Sequence, residues 1–345
     1  MRLTNLLLSV PGGSAADIAE WFGALQAQDL ASGKWSLGVR MPGATEADID
    51  TALASAQVIR TWPMRGTIHV VHPQNAHWLL ELTGIRALMG LQARWDFLGL
   101  DKATVDHAAQ VLGTALRGRR MTRSECLATL EGAGIDTSGQ RSYHLLWHTA
   151  QIGVTCIGPN EGTEQTFVLL DEWAPRQLRP QRDEALTMLA RMYFRSHGPT
   201  TRPDFQGWTG LTATDCKQAI AAADLDTATL DGAEVFYLPA DVAQPPEMLL
   251  LPGFDEYLLG YKDRSLFMDP QHARRIVPGG NGMFRATVVH RGRVIGTWHR
   301  KPLTKAVRIT VSPFSTLPAR TRRAVEGPAQ RYADYLGKDL DLRFD

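Results

Sequence analysis

Thr122-Arg123-Ser124-Glu125-Cys126-Leu127-Ala128-Thr129-Leu130 is the stretch from which the fold is read most directly. Thr122 and Glu125 have the spacing of a capping box, in which each side chain satisfies a backbone N–H at the start of a helix. Cys126, Leu127 and Leu130 then share one side of that helix. Past Gly132 and Gly134 a second helix is expected near Ser142 to Gln151. Gly153-Val154-Thr155-Cys156-Ile157-Gly158 and Thr166-Phe167-Val168-Leu169-Leu170 read as two strands around a polar turn.

The same order recurs on both sides. Thr45-Glu46-Ala47-Asp48 supplies an N-cap with acids in the first turn. Its helix is expected to run to about Ile59, and Thr67-Ile68-His69-Val70-Val71 to form a strand. Further on, Ala185, Leu186, Leu189, Met192 and Tyr193 mark a helix. Thr212-Ala213-Thr214-Asp215 opens another that contains Ile220, and Glu234-Val235-Phe236-Tyr237-Leu238 supplies a strand. Helix, helix, then β-hairpin is the layout of a winged helix, a helix-turn-helix variant. One such pattern is weak; three in series require independent coincidences to line up.

Beyond Pro245-Pro246 the chain changes to short β runs. These are Met248-Leu249-Leu250-Leu251, Tyr257-Leu258-Leu259-Gly260-Tyr261, Ala286-Thr287-Val288-Val289-His290, Val294-Ile295-Gly296-Thr297-Trp298 and Val307-Arg308-Ile309-Thr310-Val311. A final helix is expected over Ala319 to Leu336. The fold class is therefore α+β: three tandem winged-helix units over 1–100, 101–178 and 179–244. A small, mostly antiparallel β-barrel-like unit with a terminal helix follows over 245–345.

The chain has 345 residues, 44% hydrophobic and 21% charged, enough to bury sizeable cores. Collagen, coiled coil and wholesale disorder are excluded. Cys126, Cys156 and Cys216 are an odd number without a C-x-x-C pair, which excludes a disulfide framework and a four-thiolate zinc site. The cytoplasm, on the nucleoid, is the expected location, since reduced thiols are the norm there. Leu3 to Val10 is too short and polar for a secretion signal and reads as a first element of the fold. No membrane segment is expected.

Charge is balanced overall at +1 but not along the chain. Residues 271–331 carry thirteen basic residues against Glu326 alone, which leaves twenty-four basic and thirty-five acidic residues elsewhere. Such asymmetry fits a face built for a polyanion, above all a phosphate backbone. The alternative is that these arginines pair with the acidic N-terminal units.

Two runs carry most of the chemistry. Leu25-Gln26-Ala27-Gln28-Asp29 follows an apolar helix with Ile18, Trp21 and Phe22. Glutamines at i and i+2 do not share a helix face. They point into one cleft only if the backbone becomes extended there; otherwise they are solvated helix residues. In Arg60-Thr61-Trp62-Pro63-Met64-Arg65-Gly66-Thr67-Ile68-His69, Pro63 and Gly66 allow a sharp turn. A strand would put Arg65, Thr67 and His69 on one face, as site residues or as a structural strand edge. His69 with His72, and His144 with His148, lack a third ligand, so no metal is expected. P-loop and nucleophile-elbow signatures are absent. Gly279-Gly280-Asn281-Gly282 reads as a turn. Arg291 and Arg293 flank Gly292 at a hairpin tip.

With these residues in view, the chain resembles the winged-helix DNA glycosylases of the AlkZ type. The resemblance rests on Leu25-Gln26-Ala27-Gln28, the Arg60-to-His69 run, the stretch from Leu251-Pro252-Gly253-Phe254-Asp255-Glu256 through Tyr261-Lys262-Asp263-Arg264-Ser265, and Val294-Ile295-Gly296-Thr297-Trp298-His299-Arg300. It spans nearly the whole chain in order. It implies tandem winged helices followed by a β-barrel, and a catalytic glutamine–apolar–glutamine motif matching Gln26, Ala27 and Gln28. Arg65, Thr67 and His69 become candidate support.

The resemblance also implies a minor-groove hairpin between His290 and Lys305, with Arg291, Arg293, His299, Arg300, Lys301 and Lys305 as DNA-binding residues. The activity implied is monofunctional hydrolysis of the N-glycosidic bond of alkylated purines, N7-alkylguanine or N3-alkyladenine, with room for bulky adducts or interstrand crosslinks. Double-stranded DNA is the partner, no cofactor is expected, and a monomer is expected. Two rival readings are a non-catalytic winged-helix DNA-binding regulator and a small-molecule enzyme using His69 and Arg65.

Overall fold

Residues 1–280 and 282–345 are described in the structure, a computed structural model. In chain order, helix α1 (Ala15–Phe22) leads to the short strand β1 (Leu25–Gln26), then α2 (Leu30–Gly38), α3 (Glu46–Ala54) and the hairpin of β2 (Ile59–Met64) and β3 (Thr67–Val71). Next come α4 (Lys102–Ala115), β4 (Met121–Thr122), α5 (Arg123–Gly132), α6 (Arg141–Gln151) and the hairpin of β5 (Thr155–Glu161) and β6 (Glu164–Leu169). The third group holds α7 (Arg182–His197), α8 (Arg202–Thr209), α9 (Ala213–Ala222) and the hairpin of β7 (Asp226–Leu230) and β8 (Ala233–Tyr237). The tail contains β9 (Met248–Leu251), α10 (Glu256–Leu259), β10 (Thr287–His290), β11 (Arg293–Pro302), β12 (Ala306–Pro313), α11 (Ala319–Ala324), α12 (Glu326–Tyr335) and β13 (Asp339–Phe344). The chain is thus a mixed α+β protein.

Local chemistry sets many of these boundaries. Reciprocal capping boxes start α1 at Ser14 and Asp17, α3 at Thr45 and Asp48, α5 at Thr122 and Glu125, and α8 at Thr201 and Asp204. Each contributes about 1 kcal/mol. Helix α3 stops at Ala54, short of the expected Ile59, because the chain turns through Ala56 in the left-handed region (φ 54°) and then enters β2. Pro63 is tolerated inside β2 because the ladder to β3 is interrupted between Thr61 and Met64. Tyr257 to Leu259, expected as strand, is helical: the Asp255 carboxylate accepts the Tyr257 N–H at 2.9 Å and caps α10. The expected terminal helix is split into α11 and α12. Pro328 has no N–H to give to the Ala324 carbonyl. The glycine turn expected at Gly279–Gly282 includes Asn281, which lies outside the described residues.

Six strands form one sheet in the order β1-β3-β2-β5-β6-β4. The first two hairpins therefore share a sheet, joined where Arg60 pairs with Ile157. The β7–β8 hairpin stands apart. The five tail strands run in the order β13-β12-β11-β10-β9, with β12 and β13 parallel and the other pairs antiparallel. Among the described residues β9 and β13 do not pair, so this is an open sheet and not a closed barrel. One face is covered by α12, through Trp298 against Tyr332 at 5.0 Å.

Strand alternation directs β1 and β3 into two different cores. Leu25, Ala27, Ile68 and Val70 join a large core with Trp35 and Trp298, while Ile59 and Val71 join a second with Trp78, Tyr193 and Trp208. The polar residues between them, Gln26 and His69, share the face toward the second core. All three cysteines are buried and free.

Candidate active site

The Gln26–Gln28 segment lies outside any helix. Helix α1 ends at Gly23 (φ 78°), whose N–H bonds to the Ala19 carbonyl, and the chain then pairs with β3: Leu25 opposite Val70, Gln26 opposite His69. The pairing continues with Ala27 N–H donating to the Ile68 carbonyl at 2.8 Å. The Ile68 N–H donates to Gln28 Oε1 at 3.0 Å, so a glutamine side chain takes the place of the next strand carbonyl. Asp29 then caps α2, accepting the Ser32 N–H at 2.7 Å. Neither glutamine is helical: Gln26 lies in β1, and Gln28 at the bend just past its end.

The two amides are held differently. Of the two ends of a glutamine amide only the oxygen accepts, so Gln28 Oε1 faces Ile68 and Nε2 points away, on an exposed residue. Gln26 is 8% exposed, and its amide makes no hydrogen bond to the described residues. Ala27 faces the opposite way, onto Gly33 in the first turn of α2. A Cβ at position 33 would lie 2.5 Å from the Ala27 Cβ and 2.9 Å from its Cα. The small residue between the glutamines is therefore matched to a helix that lacks a side chain there.

Arg65, Thr67 and His69 are brought beside this segment. Arg65 and Gly66 form the two-residue turn between β2 and β3, with φ of 53° and 69°, the pair of positive values that a tight hairpin turn requires. His69 is fully buried. Its Nδ1 is 2.9 Å from the Thr67 carbonyl, which only accepts, so Nδ1 carries the proton and Nε2 accepts from Arg65 Nη2 at 3.3 Å. Burial, helped by the Arg65 charge, pushes His69 down to about 3, so it is neutral near pH 7. Arg65 also donates to the Trp208 carbonyl at the end of α8, and burial lowers its pKa.

Two buried acids were not singled out by sequence reasoning. Glu256 accepts from Trp208 Nε1 at 2.8 Å and stands 3.2 Å from His197 Nε2, and its charge acts on Arg65 and His69. Asp255 holds Arg40 with two contacts at 2.8 and 3.0 Å, which ties the end of α2 to α10. The signal was there in Phe254-Asp255-Glu256-Tyr257: acids within an apolar run are buried only when paired.

The basic tail is partly neutralised. Arg300 on β11 meets Asp29 at 3.4 Å, directly after Gln28. Burial raises the Asp29 pKa, but the Ser32 hydrogen bonds and Arg300 outweigh it and leave the group below its ordinary value. Arg291, at the β10–β11 tip with φ 48°, meets Glu247 at 3.4 Å. Arg308 pairs with Asp341 at 2.7 Å, and Arg275 and Arg331 bind backbone carbonyls. Among the described residues Arg300–Asp29 is the one ion pair from residues 271–331 to an N-terminal acid. Arg293, His299, Lys301 and Lys305 are exposed and make no side-chain hydrogen bond to the described residues. Two hairpins fall in or at the His290–Lys305 range: β10–β11, with its tip at Arg291-Gly292, and β11–β12, with its tip at Leu303 to Lys305. No three His, Cys, Asp or Glu side chains among the described residues stand close enough to hold a metal ion.

Comparison with known proteins identifies the family. Residues 19–335 match the model of the AlkZ-like DNA glycosylases. An interstrand DNA cross-link repair glycosylase of Streptomyces sahachiroi is 27% identical over 344 residues, covering 93% of this chain and 90% of that protein. The solved structure of the Streptomyces sahachiroi DNA glycosylase AlkZ superposes with a TM-score of 0.84 at 25% identity, over 100% of this chain and 97% of that one. No helix among the described residues is long and apolar enough to cross a membrane. The regulator and small-molecule readings give way to a DNA repair enzyme, and the chain belongs to the AlkZ-like DNA glycosylase family.

Proposed function

We propose that the chain hydrolyses the N-glycosidic bond of alkylated purines in duplex DNA, N7-alkylguanine and N3-alkyladenine, with bulky adducts and interstrand crosslinks included. The crosslink reading draws on the name of the Streptomyces sahachiroi relative. An N7- or N3-alkylated purine is already cationic and leaves as a neutral base, so no general acid is required. The protein has to place a water behind the sugar and stabilise an oxocarbenium-like state. Gln26 and Gln28 are the groups for this. The observation that carries the reading is that Gln26, in β1, and Gln28, bonded to Ile68, are both held non-helically against β3.

Their roles differ. Gln28 has one Oε1 lone pair committed to Ile68 N–H, so it contributes its Nε2 donors and the remaining lone pair to the water. Gln26 keeps its whole amide for the water and for the developing positive charge. Arg65, Thr67 and His69 are positioning residues: neutral His69 stands opposite Gln26 and is itself fixed by Thr67 and Arg65.

The helix–helix–hairpin groups are proposed as winged helices over 1–100, 101–178 and 179–244. DNA contact falls chiefly to the tail unit over 245–345. In the second group, residues 144–151 of α6 are buried and so unavailable to a groove. Arg293, His299, Lys301 and Lys305 remain free on the tail for phosphate, joined by Arg291 and Arg300. The protein is expected to be a monomer, cytoplasmic and associated with the nucleoid. The test is base release from a duplex carrying one N7-alkylguanine. Gln26→Ala combined with Gln28→Ala should abolish release and leave duplex affinity unchanged; release at the native rate would overturn the assignment.

A further inference from the structure

We propose that a cleft beside the glutamine segment is a subsite for one phosphate of the bound duplex, with Arg285 as its unassigned ligand. The cleft, of about 510 Å³, lies between the first turn of α2 and the tail sheet; Ser32, Gly253, Arg285, Trp298, His299 and Arg300 line it. Three of these side chains are basic types and none is acidic. Arg300 is already oriented by Asp29, 3.4 Å away and not part of the lining. Arg285 is exposed, and its guanidinium makes no hydrogen bond to the described residues. Its backbone is nonetheless fixed: Arg285 N–H donates to the Ile276 carbonyl at 2.9 Å, and the next carbonyl, of Ala286, accepts from Trp298 N–H at 3.0 Å. Gly253 lets this segment lie close, since a Cβ there would meet the Phe284 carbonyl at 2.6 Å. A free guanidinium on a fixed backbone, beside a second one held in place, is an arrangement suited to the oxygens of a phosphodiester.

The proposal rests on the Gln26–Gln28 reading. Arg300, which lines the cleft, meets Asp29, and Asp29 directly follows Gln28, so the cleft opens beside the motif.

Binding of the full chain to a duplex with one tetrahydrofuran abasic analogue tests this, with a methylphosphonate replacing one phosphate at a time on either strand. Arg285→Ala should bind the unmodified duplex about ten-fold more weakly, and the salt slope of log K should fall by about 0.9. With a methylphosphonate at one particular linkage close to the analogue, the two proteins should bind within about two-fold of each other. Arg285→Lys should keep the salt slope. A penalty that persists with every methylphosphonate position overturns the proposal, as does the absence of any penalty. The analogue has no base to release, so this result is independent of whether the glutamine variants lose excision.

Discussion

Replacing Gly33 by alanine sets two effects against each other. Gly33 lies inside α2 with an ordinary helical backbone, so by propensity alone alanine should stabilise the protein by about 1 kcal/mol. The packing says the opposite. The new Cβ would stand 2.5 Å from the Ala27 Cβ, where ordinary contact begins at 3.4 Å, so one of the two must move by roughly 1 Å. The 2.9 Å approach to the Ala27 Cα means that backbone has to yield. Ala27 is bonded to Ile68 and lies between the two glutamines, so its displacement is passed directly to Gln26 and Gln28. Overpacking costs about 1–3 kcal/mol, and a 1 Å misplacement of reacting groups costs about 100-fold in rate. Single-turnover excision of N7-methylguanine should therefore fall by about 100-fold, with duplex affinity retained. Adding Ala27→Gly removes the Cβ–Cβ clash and should recover about ten-fold. A Gly33→Ala protein that melts higher and excises at the native rate would refute the claim that packing fixes the motif.

Two further expectations concern pH. Neither glutamine titrates and His69 is held neutral, with its pKa down at about 3, so the excision rate on a cationic lesion should be flat from about pH 5 to about pH 9. A bell-shaped profile would point to an acid–base pair instead. The same histidine makes stability depend on pH. The unfolded chain accepts a proton near 6.5 that the folded protein refuses until about 3, so stability falls as pH drops below 6.5. The loss is roughly 2 kcal/mol at pH 5. Denaturant unfolding of the native protein and of His69→Asn at pH 7 and pH 5 should show this increment in the native protein alone; equal losses would mean that His69 is not the cause.

Locally determined features were legible in the sequence. The N-cap at Thr45 and the capping box at Thr122 need only residues three apart; both form, and at Thr45 the Asp48 side chain completes a reciprocal box as well. The glutamine segment was legible only as a condition: the spacing stated that an extended backbone would be needed, but the strand that extends it, β3, lies some forty residues away. Tyr257 to Leu259 misled because a short apolar run has no period, and a single cap at Asp255 decided for helix. Strand β7 was missed because all its residues are exposed, so no hydrophobic alternation marks it. Strand β13 does alternate, through Leu340, Leu342 and Phe344, and could have been found. The pairing of Arg40 with Asp255 and of Trp208 with Glu256 joins residues too far apart for any spacing rule.

These long-range pairs have a common purpose if the glutamines carry the reaction. A carboxylate or histidine can be tuned by shifting its pKa, and a strong charge tolerates some error in position. An amide has neither resource, and its effect falls off steeply with distance and angle. A glycosylase built on two amides must therefore secure its rate through placement. In this chain the placement comes from every side: Ile68 orients Gln28, Gly33 seats Ala27, and Asp29 starts α2 at once. At the far end of that helix, buried Arg40 is locked to Asp255. Burying charges for this purpose costs stability unless each is paired. The Arg40–Asp255 pair satisfies that condition, while Glu256 meets it through one oxygen only, which accepts from Trp208 and stands 3.2 Å from His197.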